Sequence, residues 1–231
     1  MHASPGVDSS RASKDCAPAE RRRVHCPAAL GRSILYSGSL RPEYSHYRQY
    51  VSELAARGTP TQHFMQVTGF VIPGLFIAGF GYFLGMPARA WLVGVAASFL
   101  IVSGIAKAVA GLFPLDPCCT SAPPSTEQEI HNVAGGVYYF TLGMAALMWT
   151  VAARQMFGRR SGWFRWYSLT SVVLAIVSPS LLLWAGAATS ADVGLFQRVS
   201  FGILNLWIFV FAALTWSRPA ANAIGPDESI R

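Results

Sequence analysis

Residues 90–113 read AWLVGVAASFLIVSGIAKAVAGLF, twenty-four consecutive positions with a single charged side chain, Lys107. As an α-helix this run is about 36 Å long at 1.5 Å per residue, enough to cross the hydrocarbon core of a bilayer, about 30 Å thick. A helix that is apolar all round lies either deep in a large protein or in lipid. Four further apolar blocks follow the same pattern, at residues 64–84, 133–153, 166–186 and 193–216. A chain of 231 residues is too short to bury five such helices in one soluble core, so lipid is the solvent they imply.

Composition agrees. The chain is 52% hydrophobic and 13% charged, far from the balance of a soluble domain. The predicted fold class is therefore all-α: a polytopic transmembrane helix bundle with five clear spans and a weak or truncated sixth at residues 24–40. Residues 1–23, rich in Ser, Ala, Pro and charge, are predicted to be a disordered leader. Residues 41–63 form an external entry segment, residues 64–216 the bundle, and residues 217–231 a cytoplasmic tail. Pro73 and Pro179 fall inside spans, where lipid-embedded helices tolerate a kink. Gly69, Gly74, Gly79 and Gly81 are expected to let helices approach closely. Trp91, Trp163, Trp166, Trp184 and Trp216 stand near block ends, as interfacial anchors do.

The net charge of +7 reflects topology rather than nucleic-acid binding, because the basic residues flank apolar blocks instead of forming an aromatic-interleaved stripe. Arg154, Arg159, Arg160 and Arg165 share one short loop, whereas residues 114–132 and 187–192 contain no Lys or Arg. The arginine loop is thus expected in the cytoplasm, with residues 114–132 outside. A sixth span at 24–40 would also keep Arg21, Arg22 and Arg23 inside. Cys118 and Cys119 are adjacent, a spacing that rarely forms a mutual disulfide, so oxidation with another partner and free thiols both stay open.

An ionisable group inside a span costs about 2.5–3.5 kcal/mol on insertion scales, which makes each one a candidate for function. Lys107 and Arg198 lie about 9 and 8 Å below the external ends of their spans. Each taken alone reads as snorkelling to the headgroups. Near them the external segments offer Ser52, Glu53, Asp116, His131 and Asn132. Glu53 or Asp116 facing Lys107 or Arg198 would form either a structural clamp or a headgroup-binding pocket. The candidate polar cluster is therefore Ser52, Glu53, Lys107, Asp116, His131, Asn132 and Arg198. No metal ligand set accompanies His131, and no cofactor is expected. His2, His25, His46 and His63 show no ligand spacing with it. The chain lacks phosphate-loop, H-E-x-x-H, G-x-S-x-G and C-x-x-C signatures. Ser98 and Ser103 with Lys107 read as span serines bonded to their own helix, rather than as a Ser/Lys dyad.

The stretch YSHYRQYVSELAARGTP at residues 44–60 resembles the entry segment of the DUF998 family of bacterial and archaeal membrane proteins, in which a Ser-Glu-Leu element precedes a span. GLFPLD at residues 111–116 and EIHNVAGG at residues 129–136 resemble that family's exit from its second span and entry to its third. A more distant similarity reaches the six-span group that includes the DRAM-type autophagy modulators. The resemblance implies a six-helix bundle in the bacterial plasma membrane, of uncharacterised function and without established catalytic residues. The functional expectation is a protein, more plausibly not an enzyme, whose external polar cluster binds a lipid headgroup or small polar ligand. Its partners are membrane lipids and not nucleic acid. Two rival readings are an intramembrane lipid hydrolase using Asp116 and His131, and a small-solute transporter hinted at by Pro73 and Pro179.

Overall fold

The computed structural model describes residues 26–86, 90–117, 123–184 and 192–216, with the side chains of 26–29, 159–160 and 178–184 excepted. The expectations for residues 1–23, Cys118 and Cys119, and the tail 217–231 lie outside the described residues. Those residues form six long helices and no strand: α1 (Cys26–Ser39), α2 (Gln62–Gly85), α3 (Trp91–Leu112), α4 (Thr126–Phe157), α5 (Gly162–Trp184) and α6 (Val193–Trp216). Among them α2, α3, α4 and α6 are long and apolar enough to cross a membrane. The protein is an all-α membrane protein. The weak block at 24–40 becomes α1, a helix of 14 residues. At about 21 Å it falls short of the hydrocarbon thickness.

Successive helices run up and down, so the starts of α2, α4 and α6 share one end with the finish of α3. At the opposite end α4 turns into α5. The hinge there is Gly158, whose φ of 57° lies in the left-handed region and whose N–H caps α4 by donating to the Arg154 carbonyl. Lipid-facing character is visible on α2, where Phe64, Leu75, Phe76, Tyr82 and Phe83 are all exposed. Water would penalise so continuous an apolar face, and hydrocarbon does not. Exposed Trp91, Trp163, Trp166 and Trp216 gather at the end where α4 meets α5, as an interfacial belt does.

Helices α2 and α3 approach through glycine. A side chain at Gly74 would begin 2.6 Å from the Gly104 carbonyl, and one at Gly81 would begin 2.8 Å from Leu100 Cβ. Gly104 and Gly111 on α3 are equally tight against α2. The seven-residue spacing of each pair keeps both glycines on one helix face. Of the four glycines singled out by sequence, Gly74 and Gly81 make these contacts. Gly79 faces open space, and Gly69 meets only Met65 of its own helix.

Pro73 explains a further irregularity in α2. It cannot donate to the carbonyl four residues back, and its ring crowds that carbonyl. The preceding residues Gln66–Val71 widen into a π-helical turn, in which the N–H of Ile72 reaches the carbonyl of Val67.

The entry segment, residues 41–61, is folded. Its 3-10 turn Val51–Ala55 buries Val51, Leu54 and Ala55 with Tyr44 and Met65, over the capped end of the bundle. Four bonds fasten this cap to the start of α6: Leu195 N–H to the Tyr47 carbonyl (3.0 Å), Val51 N–H to Gln197 Oε1 (2.7 Å), Arg198 Nη1 to the Gln49 carbonyl (2.8 Å), and Arg198 Nη2 to Tyr44 Oη. Gly194 must lack a side chain, because one would collide with the Gln49 carbonyl.

Candidate functional site

Lys107 lies five residues before the end of α3, about 8 Å below it. It does not snorkel. Its side chain is 1% exposed and points into the bundle, with Nζ 4.4 Å from the ring centroids of Tyr138 and Phe201 and 5.5 Å from that of Phe70. Among the described residues no carboxylate and no hydrogen-bond acceptor reaches it. A desolvated cation–π contact is worth about 2 kcal/mol. Removing an ammonium from water costs several kcal/mol, so the rings offset only part of that penalty.

Lys107 faces a cavity of about 60 Å³, enclosed by the ends of α2, α3, α4 and α6 and covered by Val51 and Ser52 of the cap. A single water needs about 10–15 Å³ on the same measure, so the space holds a small group. His131 also lines it. Its Nδ1 lies 2.7 Å from the Ala110 carbonyl and 2.9 Å from the Phe113 carbonyl, both at the C-terminus of α3. Carbonyls only accept, so Nδ1 carries the proton, and in the neutral ring Nε2 is the acceptor. His131 therefore caps α3 from α4. Gln197 contributes an amide to the wall, and its Oε1 is committed to Val51 N–H.

The sequence-predicted cluster divides into separate groups. Ser52, Lys107 and His131 share the cavity. Arg198 serves the cap instead: Nη1 donates to the carbonyls of Gln49 and Gly194, and Nη2 donates to Tyr44 Oη. Tyr44 Oη in turn donates to the Tyr50 carbonyl (2.9 Å). Burial pushes the Tyr44 phenol up to about 12, partly opposed by the Arg198 charge, so it stays a donor. Glu53 accepts from Tyr50 N–H (2.8 Å) and Gln49 Nε2 (2.9 Å), which closes the 3-10 turn. Asp116 accepts from both the N–H and the hydroxyl of Ser125, each at 2.7 Å, and these bonds hold its carboxyl below the usual range. Asn132 is exposed.

The clamp expected between an acid and a buried cation is thus not formed: neither Glu53 nor Asp116 reaches Lys107 or Arg198. The reason is local. Backbone N–H groups at the starts of the 3-10 turn and of α4 bind the nearest carboxylates first. The same geometry separates Asp116 from His131, whose Nδ1 is engaged by carbonyls, and leaves out the pairing a hydrolytic mechanism would need. Among the described residues no three His, Cys, Asp or Glu side chains stand close enough to hold a metal ion.

Sequence reading missed Phe70, Tyr138, Phe201 and Gln197. A signal existed for one of them, because His131 and Tyr138 are seven residues apart and so share a helix face. For Phe70 and Phe201, which come from different helices, none did.

The sequence profile of the family described as Protein of unknown function (DUF998) matches residues 26–214. The chain belongs to that family. No curated protein and no solved structure matches it.

Proposed function

We propose that this DUF998 protein is a multi-pass membrane protein of the bacterial plasma membrane that binds a small polar ligand in the Lys107 cavity, beneath an outward-facing cap. In this reading α5 is a fifth span beside α2, α3, α4 and α6. Helix α1 enters the membrane only part-way. Arg154 and Arg165, close to the turn between α4 and α5, are cytoplasmic, as is the end of α6. One observation carries the reading: a fully buried lysine aimed into a cavity, with no acidic partner among the described residues. Intramembrane cations are costly, and one that has only aromatic rings around it and no acidic partner is a functional-site signal. Its placement under a folded lid of residues 41–61, rather than against lipid, suits a bound ligand better than an anchor.

Two measurements test it. With the four native cysteines replaced by serine, impermeant maleimide added to intact cells should label Pro124→Cys and spare Gln155→Cys; the reverse pattern inverts the topology. Mass spectrometry of protein purified in mild detergent should find a small molecule or lipid released on denaturation, near one equivalent. Purified protein that carries none, and takes up none when offered polar ligands, would remove the binding role.

A further inference from the structure

The walls of the cavity are unlike one another. Toward α2 and α3 it is closed by Gly69, which is buried, and by Lys107. Toward α4 and α6 it is bordered by buried His131 and Tyr138 and, further out, by Gly135, Tyr139, Gln197 and Phe201, which are half-buried, as is Phe70 on α2. A side chain added at Gly135 would meet nothing within 4 Å, so there is room beside this glycine for a larger residue or a bound chain. These two helices meet at few positions, because α5 packs on both of them. Tyr139 and Phe201, with ring centroids 6.5 Å apart, flank the seam that results. Lys107 lies at its inner end, with Nζ 4.4 Å from the Phe201 ring centroid, and with α4 and α6 read as spans its outer end would face lipid.

From this arrangement we propose that the cavity takes the oxyanion of an acidic membrane amphiphile, with Lys107 as counter-cation and the acyl chain leaving laterally between α4 and α6. The inference rests on the cavity being a ligand site and adds the class of ligand and its route. Charge complementarity supplies the first half: the described walls hold an ammonium donor and no carboxylate. A carboxylate or phosphate would complete it as an ion pair within the low-dielectric interior. The second half follows from the half-buried apolar residues at the seam, which would be wet and unfavourable around a ligand arriving as a free ion. Carboxylate and phosphate heads share this chemistry.

The test uses the full-length protein in neutral detergent and native mass spectrometry, with four probes at equal concentration: oleate, lysophosphatidic acid, monoolein and inorganic phosphate. Wild type should retain the two anionic amphiphiles at least about ten-fold more than Lys107→Met does, a gap of about 1.4 kcal/mol. Monoolein should bind both proteins alike. Gly135→Leu, which fills the seam and leaves the charge in place, should weaken oleate and lysophosphatidic acid together. Equal retention of the anionic amphiphiles by wild type and Lys107→Met overturns the oxyanion assignment, yet leaves a ligand cavity standing. Inorganic phosphate retained as well as lysophosphatidic acid, with Gly135→Leu unaffected, overturns the lateral route. Failure of all four probes to bind wild type overturns this inference; the cavity reading then depends on whether the purified protein carries another ligand.

Discussion

The two ends of this bundle use the same helices for opposite purposes. Where α4 turns into α5, Trp149, Phe164, Trp207 and Phe211 form a closed aromatic cluster, with Trp149 and Phe211 4.5 Å apart and all four essentially inaccessible. Trp207 Nε1 donates to Ser168 Oγ at 2.9 Å, while Trp149 Nε1 is buried without a hydrogen-bond partner among the described residues. At the capped end, the matching level of α3, α4 and α6 holds a cavity and a cation without an acid. The first arrangement maximises contact between rings and favours stability. The second gives up contact and isolates a charge, a departure from consistent packing that proteins keep mainly at functional sites. One end of the molecule is closed by packed rings, and the other keeps a cavity with a buried cation beside it.

The sharpest way to break that contrast is to cut into each end. Trp207→Ala should cost about 3–5 kcal/mol and strongly reduce monodisperse protein in a detergent thermal melt. Lys107→Met, a swap of similar length that removes an unpaired charge, should leave the melting temperature of ligand-free protein unchanged or higher. If Lys107→Met destabilised the protein as much as Trp207→Ala, the lysine would be a structural element and the two ends would not differ in kind.

Arg198 comes next, since it joins the cap to α6. Arg198→Met removes its bonds to two carbonyls and to Tyr44, each charge-assisted bond being worth about 1.5–3 kcal/mol. The loss should fall on the cap and spare the aromatic end. Limited trypsin digestion should then cut faster at exposed Arg48 and Arg57, while protection of Trp207 is retained. Uniform loosening of both ends would show that the cap is not a separable unit.

The smallest expected effect is a pH response at the start of α4. Ser125 holds the Asp116 carboxyl below its ordinary value of 3.8. A carboxyl lowered on folding contributes stability above its unfolded pKa, and that contribution is lost as pH falls through the folded value. The protection factor of the Ser125 amide, taken against the intrinsic exchange rate at each pH, should therefore be constant from pH 7 to about 4 and fall below it, with the aromatic end unresponsive. In Asp116→Asn the acid-dependent step should vanish.

Much of the architecture was legible because lipid imposes a length and an apolarity on every spanning helix, and these are written in consecutive residues such as 90–113. The family was also legible, from three short motifs between residues 44 and 136. Depth could be read too: counting residues along a helix put Lys107 about one and a half turns below the capped end. Direction could not. Lys107 turns into the bundle because Tyr138 of α4 and Phe201 of α6 stand where its ammonium ends, and helix-to-helix register is set by packing rather than by any one segment. Arg198 turns to the cap because carbonyls of Gln49 and Gly194 lie within reach. Glu53 and Asp116, which share the capped end with both cations, were claimed by neighbouring N–H groups and a hydroxyl. The sequence by itself determined which residues must lie in lipid and which charges must be accounted for there, since that is a transfer cost each segment bears alone. Only the tertiary structure decided which groups meet, because a contact between helices 30 or 90 residues apart depends on the glycine faces of α2 and α3, the fold of the cap and the seam between α4 and α6 together.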